Sequence, residues 1–308
     1  MKYKFLWCLH LLHFTFSSQV YSQQQRAINI QYTNDFFTGT DKYFTQGIRI
    51  ELINPVFKYS PVRSLSYHDQ SVISIYSFAI QQDGFTPSAI QSDSILFGDR
   101  PYCGSIFITN SRYDYSDKKK YAMHSQISFG AIGPLAFGHE EQTAIHKAIN
   151  DELPKGWPNQ IQNDLILNYL FSFEKSLLYS SYFDMSISNQ FRLGTMFTDA
   201  GTGITFRVGQ KNRWYSLQQN KTLLLFAFAK ADVKAVAYNA TLQGGLLNRS
   251  SVYTISSQNI QRVIGNLEIG ISSSYKNVQF NYSHTFSTKA FNTASTHAWG
   301  SLGCKINF

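Results

Sequence analysis

Residues 32–47 read YTNDFFTGTDKYFTQG. Asn34 and Asp35 are adjacent, Asp41 and Thr45 follow, and Phe36, Phe37, Tyr43 and Phe44 stand among them. A hairpin turn needs only about two to five residues, and a solvated one has no use for that many rings. Further along, HEEQTAIHKAINDELPKGW carries His146, Lys147, Glu152, Lys155 and Trp157. A histidine titrates near neutrality and is the usual general base. Carboxylates and carboxamides offer the hard oxygens that calcium takes. Each feature also has a plainer reading. Asn-Asp is a common turn pair, and a lone loop histidine is usually just solvated. Asp41 reads as a turn residue.

Several standard chemistries are excluded. There is no G-x-S-x-G nucleophile elbow. His139-Glu140 lacks the following histidine of a zinc H-E-x-x-H motif, and no Walker loop, EF-hand loop or C-x-x-C occurs. Ester hydrolysis without a serine nucleophile needs an activated water and stabilisation of the tetrahedral oxyanion.

The elements that would position these residues are strands. The chain opens MKYKFLWCLHLLHFTFSSQVYSQQQ. Two lysines, a short apolar core and a small-residue segment make residues 1–22 a secretory signal peptide, with residues 23–308 as one domain. Removal of the signal leaves Cys103 and Cys304, too few for a disulfide framework. No later run is long enough for a membrane helix. Yet aromatics reach 16% while charged residues are only 15%, well under the roughly 25% usual in soluble domains. An exported, aromatic-rich, charge-poor chain without a membrane helix points to a transmembrane β-barrel. The net charge of +8 suits an anionic partner, which outside the cytoplasm means a phosphorylated lipid surface and no nucleic acid.

Alternation supports the barrel. Tyr121, Met123, Ile127, Phe129 and Ala131 oppose His124, Gln126, Ser128 and Gly130. Phe183, Met185, Ile187, Phe191 and Leu193 oppose Asp184, Ser186, Ser188, Gln190 and Arg192. This is apolar-out, polar-in. The spacing predicts about twelve strands, near 27–34, 44–54, 71–82, 102–114, 119–132, 163–175, 180–193, 200–209, 222–238, 260–274, 277–287 and 297–308. The fold class is all-β, an antiparallel up-and-down barrel. The last strand ends on Phe308, which resembles the signal read by the outer-membrane barrel assembly machinery.

With both termini in the periplasm, the connections at 35–43, 83–101, 133–162, 194–199, 239–259 and 288–296 are extracellular. Asn34-Asp35, Thr45, Asp99-Arg100, His146 and Glu152 then share one end of the barrel. The longest of these loops contains a helix over 139–150, with Glu140 and Glu141 early and Lys147 late. Its stripe of Ala144, Ile145, Ala148 and Ile149 is expected to lie against the barrel rim.

The blocks NDFFTGTDKYFTQG, GDRPYCG and GPLAFGHEEQTAIHKAINDELPKGWPNQIQN resemble the signatures of the lipid A 3′-O-deacylase family (LpxR type). A weaker TLQGG stands at 241–245. The resemblance implies a twelve-stranded outer-membrane barrel that hydrolyses the 3′-linked acyloxyacyl ester of lipid A, the lipid of lipopolysaccharide, with calcium. Its essential residues fall on Asn34, Asp35, Thr45, His146 and Glu152. Cys103 departs from the pattern, where a relative carries a serine, and the loop 83–98 differs in length. In this reading His146 deprotonates the water, and calcium polarises the ester carbonyl. Asp35 and Asn34, with Glu152, hold calcium or orient the histidine. Thr45 hydrogen-bonds within the site. Arg100, Lys147, Lys155 and Trp157 meet the substrate, and Phe36, Phe37, Phe44 and Trp157 line a lateral entry from the membrane. The protein is expected to act as a monomer. Two alternatives stay open: an outer-membrane esterase acting on phospholipid, and a non-enzymatic pore or adhesin.

Overall fold

The computed structural model describes residues 26–65, 72–210 and 220–308. The expected signal peptide and parts of the turns at 55–70 and 210–221 lie outside the described residues. Twelve strands follow in order: β1 (Ala27–Asn34), β2 (Tyr43–Ile53), β3 (Ile73–Thr86), β4 (Cys103–Ser116), β5 (Tyr121–Ile132), β6 (Asp164–Tyr179), β7 (Phe183–Gly194), β8 (Phe197–Gln210), β9 (Asn220–Asn239), β10 (Val263–Lys276), β11 (Val278–Ser287) and β12 (His297–Asn307). Each pairs antiparallel with its sequence neighbours, and β12 closes on β1. Closure matters because an open sheet edge would leave backbone groups without partners in lipid.

The outer wall is apolar by register. Ile30 pairs with Ile50, Ile50 with Ile80, Ile80 with Ile108, and Ile108 with Phe129. All five side chains are exposed. Such a row would be costly in water, at up to about 3 kcal/mol per side chain, and is favourable against lipid tails. The inner face is polar. Arg207 bridges Asp184 and Glu174 at 2.9 Å each, and Arg49 pairs with Glu51 at 3.3 Å. Arg192 pairs with Asp199, and His124 stacks on Tyr113. Cavities of 480 and 390 Å³ remain between these side chains.

One end of the barrel carries the long loops. There Tyr43, Val236, Leu242, Ile255, Ile260, Ile264 and Phe291 form one apolar cluster. Its members come from β2, β9 and β10, from α2 (Ala240–Gln243), and from the loops that follow α2 and β11. Those strands stand apart around the barrel, so the cluster plugs its mouth. Arg100 belongs to this plug. It donates to the Thr241 hydroxyl and lies 4.3 Å over the Phe85 ring. Burial pulls its pKa down to about 10.

The helix α1 (Gly138–Ile149) forms in the longest loop, one residue from its expected start. Its packing reverses the expectation. The buried residues are Gly138, Gln142 and His146, while Ala144, Ala148 and Ile149 are exposed. The reason is the solvent. A helix lying on the outside of a lipid-facing barrel turns its polar stripe to the wall and its apolar stripe outward. Close approach needs a wall without side chains. A Cβ on Gly104 of β4 would lie 3.1 Å from Ala136 Cβ and 3.4 Å from Gly138 N.

Candidate active site

Two covers lie on the outer wall at the long-loop end. The first is the short 3-10 turn Asp35–Thr38, which leaves β1. It folds outward over β12, where Phe37 occupies the space a Cβ on Gly300 would need. Phe37 also meets the Tyr32 and Tyr282 rings edge-on. The second cover is α1, seated over β3 and β4. Between them β1 to β3 present a polar floor, with Asn34 opposite Gln46 and Gln46 opposite Gly84. Gln82 on the same face donates to the Ala136 carbonyl at 2.6 Å.

Asn34 starts the first cover. Its Oδ1 accepts from Phe36 N at 2.6 Å, and its Nδ2 donates to the Tyr32 hydroxyl at 2.8 Å. Asp35 is almost fully buried. Its Oδ2 accepts from Lys42 N at 2.7 Å and from the Thr40 hydroxyl at 3.0 Å. Asp35 thereby clamps residues 40–42, and the clamped loop carries Asp41 to the helix. Asp41 Oδ2 stands 3.5 Å from His146 Nε2. Thr45 lies at a bulge in β2 and shares a 2.6 Å hydrogen bond with the Thr86 hydroxyl.

His146 is held from its other side. Asn150 caps α1 in the left-handed conformation, at φ 57, which Asn tolerates better than most residues. The chain turns back there, with Asp151 N on the His146 carbonyl at 2.9 Å. The Glu152 carbonyl then meets His146 Nδ1 at 2.6 Å. A carbonyl only accepts, so Nδ1 carries the proton and Nε2 keeps its lone pair in the neutral ring. The six-residue step from histidine to glutamate is thus a helix turn plus a reversal. It delivers a backbone oxygen, while the Glu152 side chain is exposed.

Trp157 is buried and does not line an entry. Its Nε1 donates to Gln142 Oε1 at 2.8 Å, and its ring packs on Tyr102 at 5.0 Å. It is the pillar on which the polar stripe of α1 rests. Phe44 also departs from expectation. It faces the interior with Phe85 and Trp299, because the bulge after it flips the alternation. Arg100, in the plug, is likewise remote from the wall. Phe36 alone of the expected entry rings is fully open, at 76% exposure. Lys147 and Lys155 are exposed on the α1 loop.

Three acids around the cleft are raised above the ordinary carboxylate range. Burial pushes Asp35 up to about 7. It also raises Asp41, which the neighbouring His146 pulls back down. Glu141 rises to about 7, by burial first and Asp83 second. One Glu141 oxygen, Oε2, is buried without a hydrogen-bond partner. Gln46 stands near enough to temper that shift, yet its Nε2 closes no hydrogen bond. Among the described residues, no three His, Cys, Asp or Glu side chains converge closely enough to hold a metal by themselves. The donor chemistry nonetheless fits a hard cation: undersolvated carboxylates, one with an orphaned oxygen, beside carboxamides.

Gln46 and Gln142 were not singled out from sequence, and Asp41 and Glu141 were read there as a turn residue and a helix-dipole acid and not as site residues. Gln142 alone left a signal there, since it lies one helical turn before His146 and so shares its face.

A family model described as outer membrane protein LpxR matches residues 5–308. The solved structure of LpxR from Salmonella typhimurium superposes with a TM-score of 0.73 at 20% identity, covering 92% of this chain and 100% of that one. The β-domain of the Bordetella autotransporter BrkA gives a TM-score of 0.47 at 8% identity, covering 92% of this chain and 99% of that one. No curated protein matches the sequence.

Proposed function

This chain belongs to the LpxR family of outer membrane proteins, and from that premise we propose that it is a lipid A 3′-O-deacylase working from the outer wall of its barrel. The observation that carries the reading is placement. His146, whose ring is fixed by a backbone carbonyl at 2.6 Å and an acid at 3.5 Å, lies on the buried side of α1 toward the lipid-facing wall. A base inside the lumen would meet only water. One on this wall meets the headgroup end of a lipid whose chains lie against β1 to β4.

His146 Nε2 takes a proton from the water that attacks the ester carbonyl. The same proton then goes to the departing sugar oxygen as the tetrahedral intermediate collapses. While the ring is protonated, Asp41 balances its charge. The Glu152 carbonyl keeps the ring from turning. Asp35 acts through the loop it clamps, and Asn34 through the turn it caps. Gln46 Nε2, buried beside the Glu141 carboxylate, is the amide donor nearest to hand for the developing oxyanion. Asp35 and Glu141 would hold calcium, which when bound polarises the ester carbonyl. Asn34 and the Glu152 carboxylate, expected from sequence as ligands, remain candidates beside Glu141, whose Oε2 is buried without a hydrogen-bond partner.

The passive-pore alternative is separated by planar-bilayer conductance, and the apolar cluster of Tyr43 and Phe291 at the barrel mouth supports a low value. The phospholipid alternative is separated by mass spectrometry. Lipid A from cells making the protein should lose one acyloxyacyl unit, and the loss should vanish with a chelator or with His146→Ala. Unchanged lipid A together with released lysophospholipid would replace this reading with a phospholipase.

A further inference from the structure

A second groove lies on the outer wall, on the far side of the Asp35–Thr38 turn from the cleft. It encloses 590 Å³ between that turn and β10 to β12. Its floor includes Leu267 and Phe286, both exposed and continuous with the outward-facing Ile269 and Ile271. Its roof is polar: Thr38, Thr40, Lys42 and Thr296. The Lys42 ammonium donates to the Ser295 hydroxyl at 3.0 Å and has no carboxylate partner among the described residues.

Charge around the long-loop end is divided. The connection 133–163 holds Glu140, Glu141, Asp151 and Glu152 against Lys147 and Lys155. The connections 240–262 and 288–296 hold Arg249, Arg262 and Lys289 and contain no Asp or Glu. Of the residues that line the groove, Lys42 carries the positive charge that would draw an anionic headgroup. A cation and hydroxyls above exposed apolar side chains match a phosphate above an acyl chain.

We propose that this groove binds a phosphate-bearing lipid of the outer leaflet, with the phosphate at Lys42 and a chain along Leu267 and Phe286. The inference rests on the lipid-facing reading of the wall and does not require hydrolysis. The groove also touches the cleft's machinery, since Lys42 N and the Thr40 hydroxyl both hold Asp35. The phosphate has two possible sources: a lipid A molecule that spans both sides of the turn, or a second lipid seated in the groove alone.

The test uses the full chain in detergent with His146→Ala, so that bound lipid persists, and native mass spectrometry as the readout. The probes are bisphosphorylated lipid A, the same lipid without phosphates, and phosphatidylglycerol. Retention of the phosphorylated probe should fall about tenfold on Lys42→Gln, the size of one charge-assisted hydrogen bond, and return with Lys42→Arg. The dephosphorylated probe should be indifferent to both changes, and Lys118→Glu, in the opposite turns, should alter nothing. One lipid A per protein assigns the phosphate to a spanning molecule. Two per protein, or equal retention of phosphatidylglycerol, assign it to a separate lipid. A phosphate preference that survives Lys42→Gln overturns the proposal. Phosphate-dependent retention in a protein that never deacylates lipid A would remove the proposed activity and leave the groove standing.

Discussion

Replacing Asp41 with Asn isolates one electrostatic contribution. The two side chains have the same shape, and the Gln142 amide, 3.5 Å from Asp41 Oδ1, keeps an acceptor. What disappears is the negative charge 3.5 Å from His146 Nε2. At that distance a unit pair is worth about 1 kcal/mol in bulk water and about 5 kcal/mol at an effective dielectric of about 20. The Asp41 side chain is 33% exposed and the His146 side chain 7%, so solvent screens the pair and the lower end applies. A loss of about 1–2 kcal/mol of transition-state stabilisation lowers kcat by about 5- to 30-fold. KM should hold, because the charge matters only once the ring is protonated. The assay is release of acyloxyacyl acid from lipid A in mixed micelles at saturating calcium. Asp151 is the internal control. Its carboxylate lies 3.9 Å from Nδ1 and its side chain is 57% exposed, so Asp151→Asn should cost less than about threefold. An unchanged kcat in Asp41→Asn, or a larger loss in Asp151→Asn, would refute the assignment of Asp41 as the partner of the base.

Other outcomes follow from the same contacts. Trp157→Phe removes the donor to Gln142 Oε1 and leaves that buried oxygen without its partner, at a cost of about 1–3 kcal/mol. Hydrogen exchange should rise in α1 and activity should fall, while the β-sheet circular dichroism of the barrel stays unchanged. Asp35 and Glu141, both raised to about 7, stabilise the cleft most when neutral. That contribution is complete below the ordinary carboxylate range and is lost as pH rises through about 7. Calcium should therefore protect residues 35–45 and 138–152 from exchange more at pH 8 than at pH 5, and its apparent affinity should weaken below about 7. Equal protection at both pH values would count against carboxylate ligation. Ile149→Glu places a charge on the outward face of α1. Activity on lipid A in vesicles should drop several-fold, by loss of interfacial burial, while activity in detergent micelles stays near that of the parent.

The barrel was legible because its two signals are local. Strand alternation has a period of two residues, and the short polar turns mark the reversals. Twelve strands could be counted from pattern alone, each boundary within a few residues of the fold. His146, Asn34, Asp35 and Thr45 could be named from their blocks, because a resemblance is carried by residue type and order. Which atoms of these residues make the contacts was not legible. Glu152 contributes its carbonyl, Trp157 its indole N–H, and Asp35 a clamp on a loop. Those roles depend on a left-handed cap at Asn150 and on a seven-residue reach from Asp35 to Lys42. The orientation of α1 was misread for a physical reason. Amphipathicity tells which stripe is apolar, but the side that stripe faces depends on whether the surroundings are water or lipid. Asp41 sharpens the same point. In sequence it is one acid in a turn, and only the closed barrel, by bringing the β1–β2 connection against the β5–β6 helix, makes it the neighbour of His146.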